Sequence, residues 1–380
     1  MPWESKTVEE KRTEFAQAVS RGVNMSAACR EYGITRKTGY KWLERYQDGD
    51  ELSDKSRRPF VIANRTPVEV EALVVSLRRE NPGWGAKKIK DVLERNGHEM
   101  PCVKTVNNIL NRYGCISPEE SLKHRPFIRF EKERCNEMWQ TDFKGEFRMA
   151  DNRYCYTLNI FDDHSRFAIK VYPSLTTSDT VIPTFRSAFF EFGMPDSVLS
   201  DNGAQFAGFR QGFTQFEKWL MNHDVLPVHG RFRHPQTQGK IERFHRTMKD
   251  ELLRRTVIRD IEDADVKLRL WREKYNTVRP HEALNMRCPA EVYEPSVRSY
   301  TDAISDYEYS GLYNVIKVNK WGYVRFDKWQ VYLSETMRNE RIELRPNPDG
   351  DSFIACYRNF KIAEFSSLDG KLIGRHIQRL

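Results

Sequence analysis

A chain of 380 residues with 62 Lys and Arg against 54 Asp and Glu carries a formal net charge of +8. Its 39% hydrophobic and 31% charged residues suit several globular domains and exclude a disordered or fibrous class. No apolar run approaches the roughly 20 residues of a membrane span, and MPWESKTVEEKRTEF at the N-terminus has no signal-peptide core. A cytoplasmic, nucleoid-associated location is therefore expected. The positive balance suits a polyanionic partner, because neutralising phosphates releases counterions; a solvated basic surface fits net charge equally well. Seven cysteines with no CxxC pair read as reduced core residues rather than a disulfide framework.

In chain order, residues 1–52 predict a helix-turn-helix DNA-binding domain. Asn24 is placed to cap its middle helix, Gly33 to make the tight turn, and Thr35 to cap a helix carrying Arg36, Lys37, Tyr40 and Lys41. Short polar and basic residues at a helix start are what a major groove receives, although an ordinary helical hairpin shows the same pattern. Residues 53–65 read as a linker in which Arg57 and Arg58 are either minor-groove candidates or solvated charges. Residues 66–116 predict a second helix-turn-helix domain. It opens on a capping box at Thr66-Pro67-Val68-Glu69 and ends with a candidate recognition helix bearing Lys104, Thr105, Asn107 and Asn108.

From about residue 136 the texture turns to strands. NEMWQTDFKGEF, RYCYTLNIFDD and SRFAIKVYPS are rich in aromatic and β-branched residues. Helix and strand then alternate through SDTVIPTFRSAFFEFG, DSVLSD, FRQGFTQFEKWLMNH and VLPVHGR to a long helix after Pro235. Three antiparallel strands followed by alternating elements predict an α/β core of a mixed sheet flanked by helices, over residues 125–255. A helical extension is expected over 256–300, and a small β-barrel over 310–375 from short strands with Gly, Asn and Asp turns. Trp321, Tyr323 and Trp329 are assigned to that domain's core.

Three acids carry the chemistry. Asp142 lies inside the first strand among apolar neighbours, where a charge is costly unless paired or bound to a cation. Asp201 follows, with 58 residues between, at a strand's C-terminal end, where α/β sheets place their sites. Glu242 follows with another 40 residues between, on the long helix. Carboxylates in such a group suit hard divalent cations, and two such ions serve phosphodiester exchange. His245, Arg246 and Lys249 fall three, four and seven residues after Glu242, on its helix face. Without the strand-borne acids that face would read as a solvated, charge-laced helix.

WQTDF, IFDDHSR, LSDNGAQF and HPQTQGKIERFHRTMKDEL, followed by YNTVRPHEAL, together resemble the DDE superfamily of bacterial insertion-sequence transposases and retroviral integrases. The resemblance covers roughly residues 125–295. It implies a ribonuclease-H-like core in which Asp142, Asp201 and Glu242 bind two Mg²⁺ ions, with Mn²⁺ substituting. It also implies nicking at transposon ends and attack of a freed 3′-hydroxyl on target DNA. Lys240, His245, Arg246 and Lys249 would then contact double-stranded DNA, and the chain would self-associate into a dimer or higher oligomer. Many members have Asn where His245 stands. A nuclease of the same fold without strand transfer, and a transposase-derived DNA-binding regulator, are the competing readings.

Overall fold

The computed structural model describes residues 7–54, 66–116, 131–177, 179–208, 212–230, 239–326, 328–347 and 350–380. The chain divides into two units, Met1–Arg65 and Thr66–Leu380. Arg57 and Arg58 lie outside the described residues, as does the segment 231–238 that precedes the Glu242 helix. Among the described residues no helix is long and apolar enough to cross a membrane.

In the first unit, α1 (Val8–Ser20) starts on a capping box between Thr7 and Glu10. Asn24 caps α2 (Met25–Glu31) by accepting from the amides of Ser26 and Ala27, and Thr35 caps α3 (Arg36–Gln47), both as the sequence predicts. Gly33 makes the turn at φ +64°. Phe15, Ala28, Cys29, Trp42 and Leu52 form the core. α3 packs so closely that a Cβ on Gly39 would come within 2.7 Å of Cys29 Sγ.

The second unit opens with α4 (Val68–Glu80), α5 (Ala86–Arg95) and α6 (Val103–Arg112), packed about Val74, Trp84, Ile89, Val106 and Ile109. The capping box expected at Thr66 does not form. The Pro67 carbonyl accepts the first helical bond, from the Glu71 amide, so Pro67 is the cap and Thr66 falls one residue too early.

Strands β1 (Trp139–Arg148), β2 (Tyr154–Asp162), β3 (Ala168–Ser174), β4 (Ser197–Ser200) and β5 (Leu226–His229) make one sheet in the order β3-β2-β1-β4-β5. The first three are antiparallel, while β4 and β5 run parallel to β1 and to each other. One face is covered by α7 (Val181–Phe192) and α8 (Gln215–Asn222) through Trp139, Leu158, Phe185, Phe189, Phe216 and Leu220. α8 begins later than the sequence pattern suggests because Thr214 and Glu217 form a capping box there. The other face is covered by α9 (Gly239–Met248) and α10 (Ile261–Thr277) through Cys155, Val171, Phe244, Met248, Leu268 and Trp271. Helices on both faces of a mixed sheet are the ribonuclease-H-like arrangement expected from the sequence.

The C-terminal strands depart from expectation. β6 (Asn314–Lys317), β9 (Arg341–Pro346), β10 (Ser352–Tyr357), β11 (Phe360–Ser366) and β12 (Leu372–Arg379) form an open sheet in the order β12-β11-β10-β9-β6. β7 (Tyr323–Phe326) and β8 (Trp329–Tyr332) form a separate two-stranded pair. The barrel does not close because β6 and β12 stay apart as edges. The β7–β8 hairpin instead shares one core with the sheet through Val324, Val331, Ile342, Ala355 and Ile362. Phe213 and Met221, from either end of the α8 region, join that cluster. Trp321, assigned to the core on sequence, is 63% exposed with Lys320 over its ring, whereas Trp329 packs against the cluster.

Candidate active site

The parallel pairing of β1 with β4 sets Trp139 beside Val198 and Gln140 beside Leu199. The same offset of 59, carried two residues further, sets Asp142 level with Asp201 just beyond the end of β4. Asp201 is held by a short turn in which its Oδ1 accepts from the Gly203 amide at 2.9 Å. A Cβ on Gly203 would meet the same oxygen at 2.9 Å. Glu242 projects from α9, exposed, while Ile241, Phe244 and Met248 bury the opposite side of that helix.

Asp142 is half-buried. Burial pushes its carboxyl up to about 7, and the charges of Asp201 and Glu242 push in the same direction. The three acids are therefore electrostatically one group. An anionic, oxygen-only cluster fits a hard divalent cation by donor chemistry. Among the described residues no three His, Cys, Asp or Glu side chains close around one point, so the acids are grouped rather than preset as a cage.

His245 faces the sheet. Its Nε2 lies 2.9 Å from Asn159 Nδ2, and its Nδ1 lies 3.8 Å from Asp142 Oδ2. Asn159, fully buried, is the β2 residue opposite Asp142. Burial, with Lys144 adding to it, lowers the His245 pKa to about 3. The ring is thus neutral, and its approach to Asp142 is a polar contact rather than an ion pair. Accepting at Nε2 leaves the proton on Nδ1, which then points at the carboxylate.

Lys240 also turns inward, its Nζ 2.6 Å from Asp163 Oδ2. Asp163, fully buried, further accepts from Gln140 Nε2 at 2.5 Å and from the Lys132 amide at 2.9 Å. Its neighbour Asp162 accepts from the amides of Asn136 and Ser165 and from Ser165 Oγ. IFDDHSR is thus a buried turn that ties the end of β2 to the start of α9. Arg246 and Lys249 are exposed. Arg36, Lys37, Tyr40 and Lys41 are exposed on α3, as are Lys104, Asn107 and Asn108 on α6, while Thr105 is half-buried beside Cys102. Asn159 and Asp163 are the supporting groups the sequence reading did not single out. A buried acid pair ending a strand was the available signal for the second; nothing local pointed to the first.

Residues 132–235 and 223–289 each match an integrase core domain. Residues 11–60 match a helix-turn-helix domain, and 38–110 a homeodomain-like domain. The chain is similar to an uncharacterized 31.7 kDa protein of insertion element IS407 from Burkholderia multivorans, 24% identical over 58% of this chain and 79% of that protein. It is also similar to the transposase for an IS21-like insertion sequence element of Bacteroides fragilis, 22% identical over 69% of this chain; there the match spans about half the relative's length, 53%. The solved HTLV-2 integrase catalytic core domain in complex with magnesium aligns with 42% of this chain and 97% of that one. Identity is 15% and the TM-score 0.33, a superposition too loose to bear on the site.

Two overlapping integrase-core matches behind two DNA-binding helical matches make this chain an enzyme of the DDE transposase/integrase class. Within that class it is similar to proteins of bacterial insertion sequences, an IS21-like transposase among them.

Proposed function

We propose that the enzyme binds the ends of its own element, nicks a strand at each end, and joins the freed 3′-hydroxyl to target DNA. The observation that carries this reading is that Asp201, just past the end of β4, and Glu242, on α9, both act on the charge of Asp142 in β1, in a chain that also carries helix-turn-helix domains. These three acids would hold two Mg²⁺ ions, with Mn²⁺ as substitute. Bound there, the ions would supply the charge that activates the attacking oxygen and stabilises the leaving one.

The chain's own groups set the geometry. Neutral His245, braced on Asn159, orients Asp142. Lys240 anchors the first turn of α9 on Asp163, and Arg246 and Lys249 remain exposed to meet DNA phosphates. In this reading residues 1–52 and 66–116 recognise DNA through the exposed faces of α3 and α6. Residues 125–255 are the catalytic core, 256–300 its helical extension and 310–375 a β domain. Element ends come in pairs, which suits a symmetric dimer or higher assembly.

The test is an assay of Mg²⁺, linear DNA with element ends and a supercoiled target, comparing wild type with Glu242→Gln. Joining by wild type, reduced about a thousandfold in the variant, is expected. Cleavage without joining would favour a nuclease. End binding with no metal-dependent cleavage by either protein would favour a DNA-binding regulator.

A further inference from the structure

α9 passes without a break into a π-helical turn, Lys249–Leu253, so Glu251 lies nine residues beyond Glu242 on one helical run. At 1.5 Å per residue that is about 13 Å along the axis. The Glu251 side chain is 14% exposed and accepts hydrogen bonds from three separate parts of the chain. Trp84 Nε1, from the turn between α4 and α5, donates to Oε1 at 3.2 Å. Trp271 Nε1 of α10 donates to Oε2 at 3.3 Å. Arg279 Nε, from the YNTVRPHEAL segment, donates to Oε1 at 2.9 Å.

Each of these groups is a donor only, so the site requires an acceptor with two oxygens, which an ionised carboxylate is. The approach on the helical-domain side is close, since a Cβ on Gly83 would lie 3.7 Å from Glu251 Oε1. Trp84 is 1% exposed and belongs to the core of α4–α6. One carboxylate thereby joins the 66–116 domain, the extension helix and the helix that carries Glu242. π-Turns recur where a helix serves a function beyond packing.

We propose that Glu251 is a positioning residue. Through Trp84 it transmits the seating of the 66–116 domain to α9, so that Glu242 is set for strand cleavage only when that domain is seated. The proposal rests on the reading of Glu242 as a metal-binding acid and of residues 66–116 as DNA-binding.

The test uses the full chain with Trp84→Phe, which keeps the ring and removes the N–H, with Glu251→Gln, and with both. Melting temperature, affinity for a labelled element end, single-turnover cleavage in Mg²⁺, and amide exchange of α9 in the DNA-free protein are measured for each. Trp84→Phe is expected to bind the end within about twofold of wild type. Its cleavage should slow roughly tenfold, the scale of one hydrogen bond to a charged group. Exchange across residues 239–248 should rise by a comparable factor. The double variant should be no slower than the slower single one, because the two changes break the same link.

Wild-type cleavage and unchanged α9 exchange in Trp84→Phe would overturn the proposal. So would a loss of rate that only tracks lost end binding or lost thermal stability. A wild type that cleaves nothing in Mg²⁺ counts against the assigned activity instead, and the exchange measurement then decides the clasp on its own.

Discussion

Replacing Asp142 by Asn is expected to lower end cleavage and joining by about a thousandfold or more, while the metal-free protein becomes no less stable at pH 8. The Asp142 carboxyl titrates near 7 in the fold because of burial and its acidic neighbours, against about 3.9 in an unfolded chain. Between those values the folded state holds a proton that the unfolded state has released. The resulting stabilisation is fully present below about pH 4 and is lost as pH rises through 7. Asn, with no proton to lose, is free of that decline. In wild type, Mg²⁺ should restore stability above pH 7 by replacing the proton, and should do so weakly at pH 5, where it must compete with it. Melting curves at pH 5 and 8, with EDTA or Mg²⁺, read both effects. Equal stabilisation of wild type and Asp142→Asn by Mg²⁺ would remove Asp142 from the metal site.

Asp163→Ala should destabilise the fold by about 3–5 kcal/mol, the cost of breaking a buried ionic contact from one side. Asp163 is fully buried and accepts from Lys240, Gln140 and the Lys132 amide. Alanine takes that carboxylate away from a lysine whose own charge is already disfavoured by burial. α9 begins at Gly239, one residue before Lys240, so the loss also loosens the start of the Glu242 helix. Cleavage should therefore fall even where the variant remains folded. Denaturant unfolding gives the number, and a loss below about 1 kcal/mol would contradict the role assigned to this turn. Asp163→Asn keeps acceptor oxygen without the charge and should lie between alanine and wild type.

The core was legible because its signals are local. The aromatic and β-branched runs of β1 to β3 mark strands wherever they pack. Asp142 stands out as a charge inside one of them, and Asp201 as an acid at a strand end before Asn202-Gly203. The caps at Asn24 and Thr35 act within three residues, and they form as read. What was missed depends on pairing across long separations. The orientation of His245 is set by Asn159, 86 residues away, and places beside the sheet a ring that helical spacing alone grouped with cations. The bond from Trp84 to Glu251 spans 167 residues. Strand texture around residues 314–366 could not say whether the edges would meet. β12, read from LIGRHIQR with its charged and half-exposed residues, has little of the apolar alternation that marks a strand. Thr66 fails as a cap because the proline after it takes the position.

The most direct measurement is anomalous scattering from crystals of the full chain grown with Mn²⁺. A metal site built by the three acids requires density peaks about 2.1 Å from carboxylate oxygens of Asp142, Asp201 and Glu242 together, lost in Glu242→Gln or reduced to one. Mn²⁺ bound elsewhere, with these three carboxylates left unligated, would contradict it.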